Sequence, residues 1–214
     1  MIKAKTKGSL IVISGPSGVG KDTIVNKLIK SNPKLHKAVN YTTRAKRKGE
    51  TEGLDYHFIT TEEFKEKIKD NQFLEYAKVH HKWYYGVSKE ETIDKLNKNI
   101  NVILIVDIAG AKSIKELIPE AIFIFLLPPS IQELKQRLKQ RGTETKVDLF
   151  RRFKTAYQEL NEFSKYNYVV VNDEITASIH KINAITIAHK SRVDRIEELD
   201  IDSLEELLHV DLVD

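Results

Sequence analysis

The sequence predicts an α/β fold: a doubly wound parallel sheet with helices on both faces and a small inserted lobe. Three observations carry this. Residues 10–13, 102–106, 122–127 and 168–171 are apolar, β-branched runs, and none alternates apolar with polar. Continuous apolar strands are buried on both faces, as in a parallel sheet covered by helices. A helical stretch follows each run, at 22–30, 111–117, 131–140 and 175–189. This alternation is the pattern of βαβ units. The third observation is length, since 214 residues suit one compact domain or a core with small lobes.

Taken in order, the first strand runs into Gly15-Pro16-Ser17-Gly18-Val19-Gly20-Lys21-Asp22-Thr23, and a helix follows. Strand, glycine turn and helix are the context that the phosphate-loop (P-loop) pattern requires. Glycines let successive backbone N–H groups turn inward around a polyphosphate. The helix N-terminus adds partial positive charge, and Lys21 can reach the β- and γ-phosphates. The residue after the lysine is usually Ser or Thr, whose hydroxyl touches Mg²⁺; here it is Asp22. A carboxylate can hold a hard cation directly or through water. It can also repel the phosphates where no metal screens it, and Thr23 can supply the hydroxyl instead. The sequence leaves these alternatives open, so the metal position is Asp22 or Thr23.

Residues 39–99 read differently: polar, rich in aromatics, with Gly49, Gly53 and Gly86 as turn points. Thr60-Thr61-Glu62-Glu63 resembles a helix start ahead of Phe64 and Ile68. A lobe of short strands and a helix is the expectation. Asp107 is expected to end the second apolar strand, suited to a Mg²⁺-bound water or to an acceptor, though a capping role would also explain it. After the third strand and its helix, residues 141–145 break the pattern and 147–163 read as helical, a second insertion. Residues 203–208 have helical character inside a mostly acidic end that begins at Asp194.

The lobe carries Thr42-Thr43-Arg44, Arg47, Gly49-Glu50, Gly53, Asp55-Tyr56 and Phe58. Two arginines three apart can converge on one phosphate through bidentate bonds. Glu50 can orient an arginine or a substrate hydroxyl, and Tyr56 can donate its hydroxyl to a phosphate. Either arginine alone would read as part of a solvated basic loop.

With these residues in view, the chain resembles the guanylate kinase family. The matching stretches are GPSGVGK, TTRAKRKGETEGLDYHF, FLEYA, YYG, VDIAGA, PPS…LKQRLKQRGTET and VVVND, in the family's order and reaching about His189. The resemblance implies a P-loop kinase core at 1–38 and 101–190, a nucleoside-monophosphate-binding lobe at about 39–100 and a lid at about 141–155. Residues 191–214 are left as an acidic extension. It implies Mg²⁺-dependent, in-line phosphoryl transfer from ATP to GMP, and to dGMP. It puts Arg44, Arg47, Tyr56 and Tyr85 on the GMP phosphate, with Glu50 in the same subsite, and Glu75 on guanine. A carboxylate accepts from the guanine N1–H and N2 amine, and adenine offers no such paired donors. Arg137, Arg141 and Arg152 match arginines in and beside the lid, where mobile guanidinium groups can stabilise the transferring phosphoryl. Asn172 matches a position near the adenine.

Three acceptor-side positions depart from the family pattern. Asn40 stands where serine is usual, Val87 where Ser or Thr follows the Tyr-Gly pair, and Ile105 where an acidic residue is common. Ser88 is the candidate to replace the hydroxyl lost at Val87. Each lost polar contact in a desolvated site costs on the order of 1 kcal/mol, so weaker guanine preference is the expectation. Two other readings stand beside this one. Asp22 is shared with kinases acting on ribose bisphosphates, and some guanylate-kinase-like domains bind phosphopeptides without catalysis. The intact motif from Thr42 to Tyr56, with Glu75, weighs against the first, and the intact Lys21 and arginine-bearing lid weigh against the second.

Composition agrees with a small-molecule enzyme. Hydrophobic residues are 41% and charged residues 31%, an ordinary globular balance, and there is no cysteine for disulfide or thiolate chemistry. The net charge of +4 would fit nucleic acid and fits an anionic small substrate equally well. There is no basic block long enough for a nucleic-acid arm, so no nucleic-acid partner is expected. The longest apolar stretch, 121–129, is far below the roughly 20 residues that span a bilayer. The apolar run at 10–13 is too short for a signal-peptide core. No membrane partner and a cytoplasmic setting are the expectations.

Overall fold

The computed structural model describes residues 3–79, 82–140 and 146–200. The chain opens with β1 (Lys3–Thr6) and β2 (Leu10–Ser14), and the glycine turn leads into α1 (Lys21–Ser31). A short β3 (Leu35–Lys37) follows. Then come β4 (Asn40–Thr42), β5 (Tyr56–Phe58), α2 (Thr61–Lys69), β6 (Phe73–Val79), β7 (Trp83–Ser88) and α3 (Lys89–Asn97). The core resumes with β8 (Asn101–Ile105), α4 (Ile108–Leu117), β9 (Ile122–Leu127), α5 (Ile131–Gln140) and α6 (Lys146–Leu160). A short 3₁₀ turn, β10 (Tyr168–Val171), α7 (Ile175–Lys190) and β11 (Ile196–Asp200) complete the described chain.

Five strands form the central sheet in the order β10-β9-β2-β8-β3, and every neighbouring pair is parallel. This is the predicted α/β architecture. Its apolar runs serve both faces because side chains alternate along a strand. Ile11, Ile13 and Ile103 pack with Ile24 and Leu28 of α1 and Ile182 of α7. Leu10, Val12, Val102 and Leu104 pack on the other face with Ala111 and Ile114 of α4. β2 is central, and the C-terminal ends of β2 and β8 lead into the glycine turn and Asp107. That crevice beyond the strand ends is where open α/β sheets bind ligands.

The lobe is a four-stranded sheet in the order β5-β4-β7-β6, with α2 and α3 beside it. Thr60 caps α2 and forms a reciprocal capping box with Glu63, as the sequence predicted for a helix start there. Phe64 is fully buried and stacks on Phe73 at 4.4 Å and on Tyr84 at 5.2 Å. Gly86 is not a turn. It lies within β7, where a Cβ would come within 2.9 Å of the Phe64 and Phe73 rings. Two further expectations are corrected here. The lobe holds two helices, not one, because Ser88 caps a second, α3. β8 stops at Ile105, so Asp107 lies beyond the strand and is the N-cap of α4.

Residues 196–200 of the acidic end form β11, which pairs antiparallel with β1. Arg195 donates to the Gly8 carbonyl at 3.1 Å, and Lys7 pairs with Glu197 at 3.0 Å. Residues 203–208, read as helical, lie outside the described residues. Among the described residues, no helix is long and apolar enough to cross a membrane.

Candidate active site

The glycine turn is built by three residues with positive φ: Gly15 at 140°, Gly18 at 85° and Gly20 at 98°. Such angles strain any residue with a Cβ. Space enforces the same choice at two of them. A Cβ on Gly15 would meet the Leu126 carbonyl oxygen at 2.4 Å, and one on Gly20 the Asn172 amide nitrogen at 2.7 Å. Lys21 starts α1, and its Nζ donates to the carbonyls of Gly15 at 2.6 Å and Pro16 at 3.2 Å. Asp22 and Thr23 are exposed on the first turn of the helix.

Side chains from the second half of the chain reach this turn. Arg137 on α5 donates to the Val19 carbonyl at 3.3 Å and is held by Glu133 one turn earlier. Arg152 on α6 donates to Ser17 Oγ at 3.4 Å. Buried Asn172 donates through Nδ2 to the Val19 carbonyl at 2.8 Å, and Ser178 donates to its Oδ1. Asn172 therefore props the loop from behind. Arg141 lies outside the described residues, as does the whole break at 141–145.

In the lobe, Arg44 is buried and Glu50 holds it in a bidentate pair, at 2.6 and 3.1 Å. Its Nε donates to the Tyr85 hydroxyl at 3.3 Å, and its guanidinium lies 5.4 Å from the Tyr56 ring centre. Glu50 holds the Arg44 proton more firmly than usual. The Arg44 bonds, with the Arg47 backbone N–H at 2.7 Å, hold the Glu50 carboxyl below its ordinary range. The sequence suggested two arginines converging on one target. Arg44 is fixed in a frame of Glu50, Tyr85 and Ala45, while Arg47 is exposed and donates its backbone N–H to Glu50. Burial, then the neighbouring Tyr85, raises the Tyr56 hydroxyl pKa, and the charge of Asp22 adds to this. Asp22, at the start of α1, therefore lies within electrostatic reach of Tyr56 in the lobe.

Glu75 stands on β6 opposite Val87, which in turn faces Asn40 across β7 and β4. Residues directly opposite share a face of the sheet. Val87 is buried in the core cluster with Leu74, Leu10 and Val12, so its apolar side chain anchors the lobe to the main sheet. Ser88, the candidate for the missing hydroxyl, uses its Oγ to cap α3 by accepting the Glu91 N–H. The Glu75 carboxyl packs on the first turn of α4, where a Cβ on Gly110 would come within 2.9 Å of it. Burial there pushes the carboxyl up to about 7, and the charge of Asp107 adds to the shift. Asp107 accepts the Gly110 N–H at 2.8 Å, so it does cap a helix, within electrostatic reach of the Glu75 carboxyl.

Two contributors escaped the sequence reading. Gly110 reads as an ordinary helical glycine until Glu75 is seen against it. Glu159, in Gln158-Glu159-Leu160, reads as a solvated helix charge, yet it accepts the Ser17 backbone N–H at 3.2 Å. Gly110 falls in the VDIAGA stretch without a role of its own there, and nothing in the sequence marks Glu159.

The guanylate kinase family model matches residues 7–189. The guanylate kinase of Clostridium tetani is 51% identical over 97% of this chain and 99% of its own length. That of Caldanaerobacter subterraneus is 50% identical over 91% and 94%. The crystal structure of guanylate kinase from Anaplasma phagocytophilum superposes with a TM-score of 0.73 at 32% identity, covering 97% of both chains. With a matching family model, relatives at about half identity over the full chain and the same fold, this chain belongs to the guanylate kinase family.

Proposed function

We propose that this chain transfers the γ-phosphoryl group of ATP to GMP. The observations that support it most are the glycine turn, into which Lys21 donates, and the Arg44–Glu50–Tyr85 frame of the lobe, with Asp22 within electrostatic reach of Tyr56. Two phosphorylated ligands held there would meet end to end.

The roles follow from chemistry. The loop amides from Gly15 to Lys21 cradle the ATP phosphates, and Lys21 follows the charge as it moves. Arg44, set by Glu50, presents a planar fork to the GMP phosphate, with Tyr56, Tyr85 and Arg47 around it. Arg137 and Arg152, already at the loop, neutralise charge on the phosphoryl in flight. Ionised Glu75 accepts from the guanine N1–H and N2 amine. Asp107 holds the floor between the two sites. Among the described residues, no group of three or more His, Cys, Asp or Glu side chains is arranged to hold a metal. The exposed Asp22, with Thr23 beside it, is a sparse donor set. It suits Mg²⁺, which keeps several waters and takes ligands from substrate phosphates. Mg²⁺ bound with ATP neutralises charge on the β- and γ-oxygens.

A coupled assay with ATP, Mg²⁺ and GMP tests the reading. Turnover is expected with GMP and not with AMP or ribose 1,5-bisphosphate. No GMP-dependent turnover above a Lys21→Ala control would end it.

A further inference from the structure

Glu159 has no part in the transfer steps above, yet it sits on the loop that performs them. Its half-buried Oε2 accepts the Ser17 N–H at 3.2 Å. Inward-facing amides of a phosphate loop are the donors that hold polyphosphate oxygens. Ser17 belongs to that loop, and Glu159 places an internal anion on its amide. Arg152 lies seven residues earlier, two turns up the same face of α6. It donates to Ser17 Oγ at 3.4 Å, so one helix grips one loop residue at two points.

The electrostatic surroundings are divided. Burial raises the Glu159 carboxyl pKa, the Ser17 bond and Lys21 oppose the rise, and Asp107 adds to it. Behind Glu159 opens a cavity of about 830 Å³ between α4 and α6, lined by apolar Ile108, Ala111 and Phe123 and by charged Lys112, Lys115, Lys165, Glu116 and Glu162. Lys165 pairs with Glu162 and Lys115 donates to the Lys165 carbonyl, so the carboxylate has room to withdraw and Lys112 is the cation left to receive it.

We propose that Glu159 is an exchangeable anion of the phosphate loop, competing with the ATP phosphates for the Ser17 amide and swinging toward the cavity beside Lys112 when they enter. It acts through Ser17 and is a positioning residue. Nucleotide entry thereby loosens α6 from the loop and leaves the Arg152 guanidinium to the phosphates. The inference rests on the reading of this loop as an ATP site.

Calorimetric titration of ATP into the full chain, without GMP, separates the two ideas. Heat of binding in the wild type tests the ATP site. The difference between the wild type and Glu159→Gln or Glu159→Ala tests the exchange. Both variants are expected to bind ATP roughly three- to tenfold more tightly, because a charged competitor for one amide is gone. In the coupled assay the KM for ATP falls while that for GMP stays. A residue that merely braces α6 gives the opposite sign. Unchanged or weaker ATP binding in either variant, with a melting temperature matching the wild type, overturns the proposal. Should one variant fail to fold, the other decides it.

Discussion

Replacing Glu75 by glutamine probes the acceptor site most directly. The wild-type carboxyl titrates at about 7. It is therefore about nine-tenths ionised at pH 8 and about one-tenth at pH 6. Only the ionised form accepts from both guanine donors, so kcat/KM for GMP is expected to fall about tenfold over that range. Glutamine keeps one acceptor and turns its amide against the other donor. That loses about one charge-assisted bond, ~1.5–3 kcal/mol, or about ten- to hundredfold in kcat/KM at pH 8. The phosphate of GMP also titrates near 6, but equally for both proteins, so the wild-type-to-variant ratio is the quantity to measure. The ratio is expected to shrink as pH falls from 8 to 6. A ratio flat with pH, or an equal rise in the KM for ATP, refutes the assignment. Stability moves with a defined sign. The folded pKa lies above the ordinary 4.5, so the native state favours the neutral acid. The contribution from this group is full below about 4.5 and is lost as pH rises through about 7. Glu75→Gln is therefore expected to melt above the wild type at pH 8, by an amount that vanishes toward pH 4.5.

Three further outcomes follow from the same geometry. Gly110→Ala puts a methyl within 2.9 Å of the Glu75 carboxyl. It is expected to raise the KM for GMP while helix propensity adds up to about 1 kcal/mol of stability, a split that steady-state kinetics and thermal melting read together. Arg44→Lys loses the planar fork that Glu50 and Tyr85 hold, and is expected to raise the KM for GMP roughly tenfold or more with little change for ATP; equal changes in both would contradict its place in the lobe. Phe64→Ala removes a fully buried ring stacked on Phe73 and Tyr84. A loss of about 3–5 kcal/mol is expected in denaturant unfolding, and a loss under 1 kcal/mol would mean the lobe does not depend on this aromatic stack.

The apolar runs made the central sheet legible, because a strand buried on both faces has no polar side to hide its signal. Residues 131–140 were bounded correctly as a helix, and Thr60 with Glu63 marked the start of α2 through chemistry local to four residues. β3, with one buried residue in three, and α3, with one in nine, gave no comparable pattern. Gly86 misled because glycine suits both a turn and a place where rings need room, and only the folded lobe shows Phe64 and Phe73 against it.

The sequence alone determined the phosphate loop, since strand, glycines, lysine and helix are neighbours in the chain and their geometry follows from local backbone rules. It also named the lobe residues Arg44, Glu50, Tyr56 and Glu75. What each of them does there depends on partners far off in sequence. Only the tertiary structure set Tyr85 on Arg44, pressed Glu75 against Gly110 and Asp107, buried Val87 in the core, and brought Glu159 across 142 residues to the Ser17 amide. Burial and long-range electrostatics depend on where distant segments meet, and spacing along a chain does not encode that.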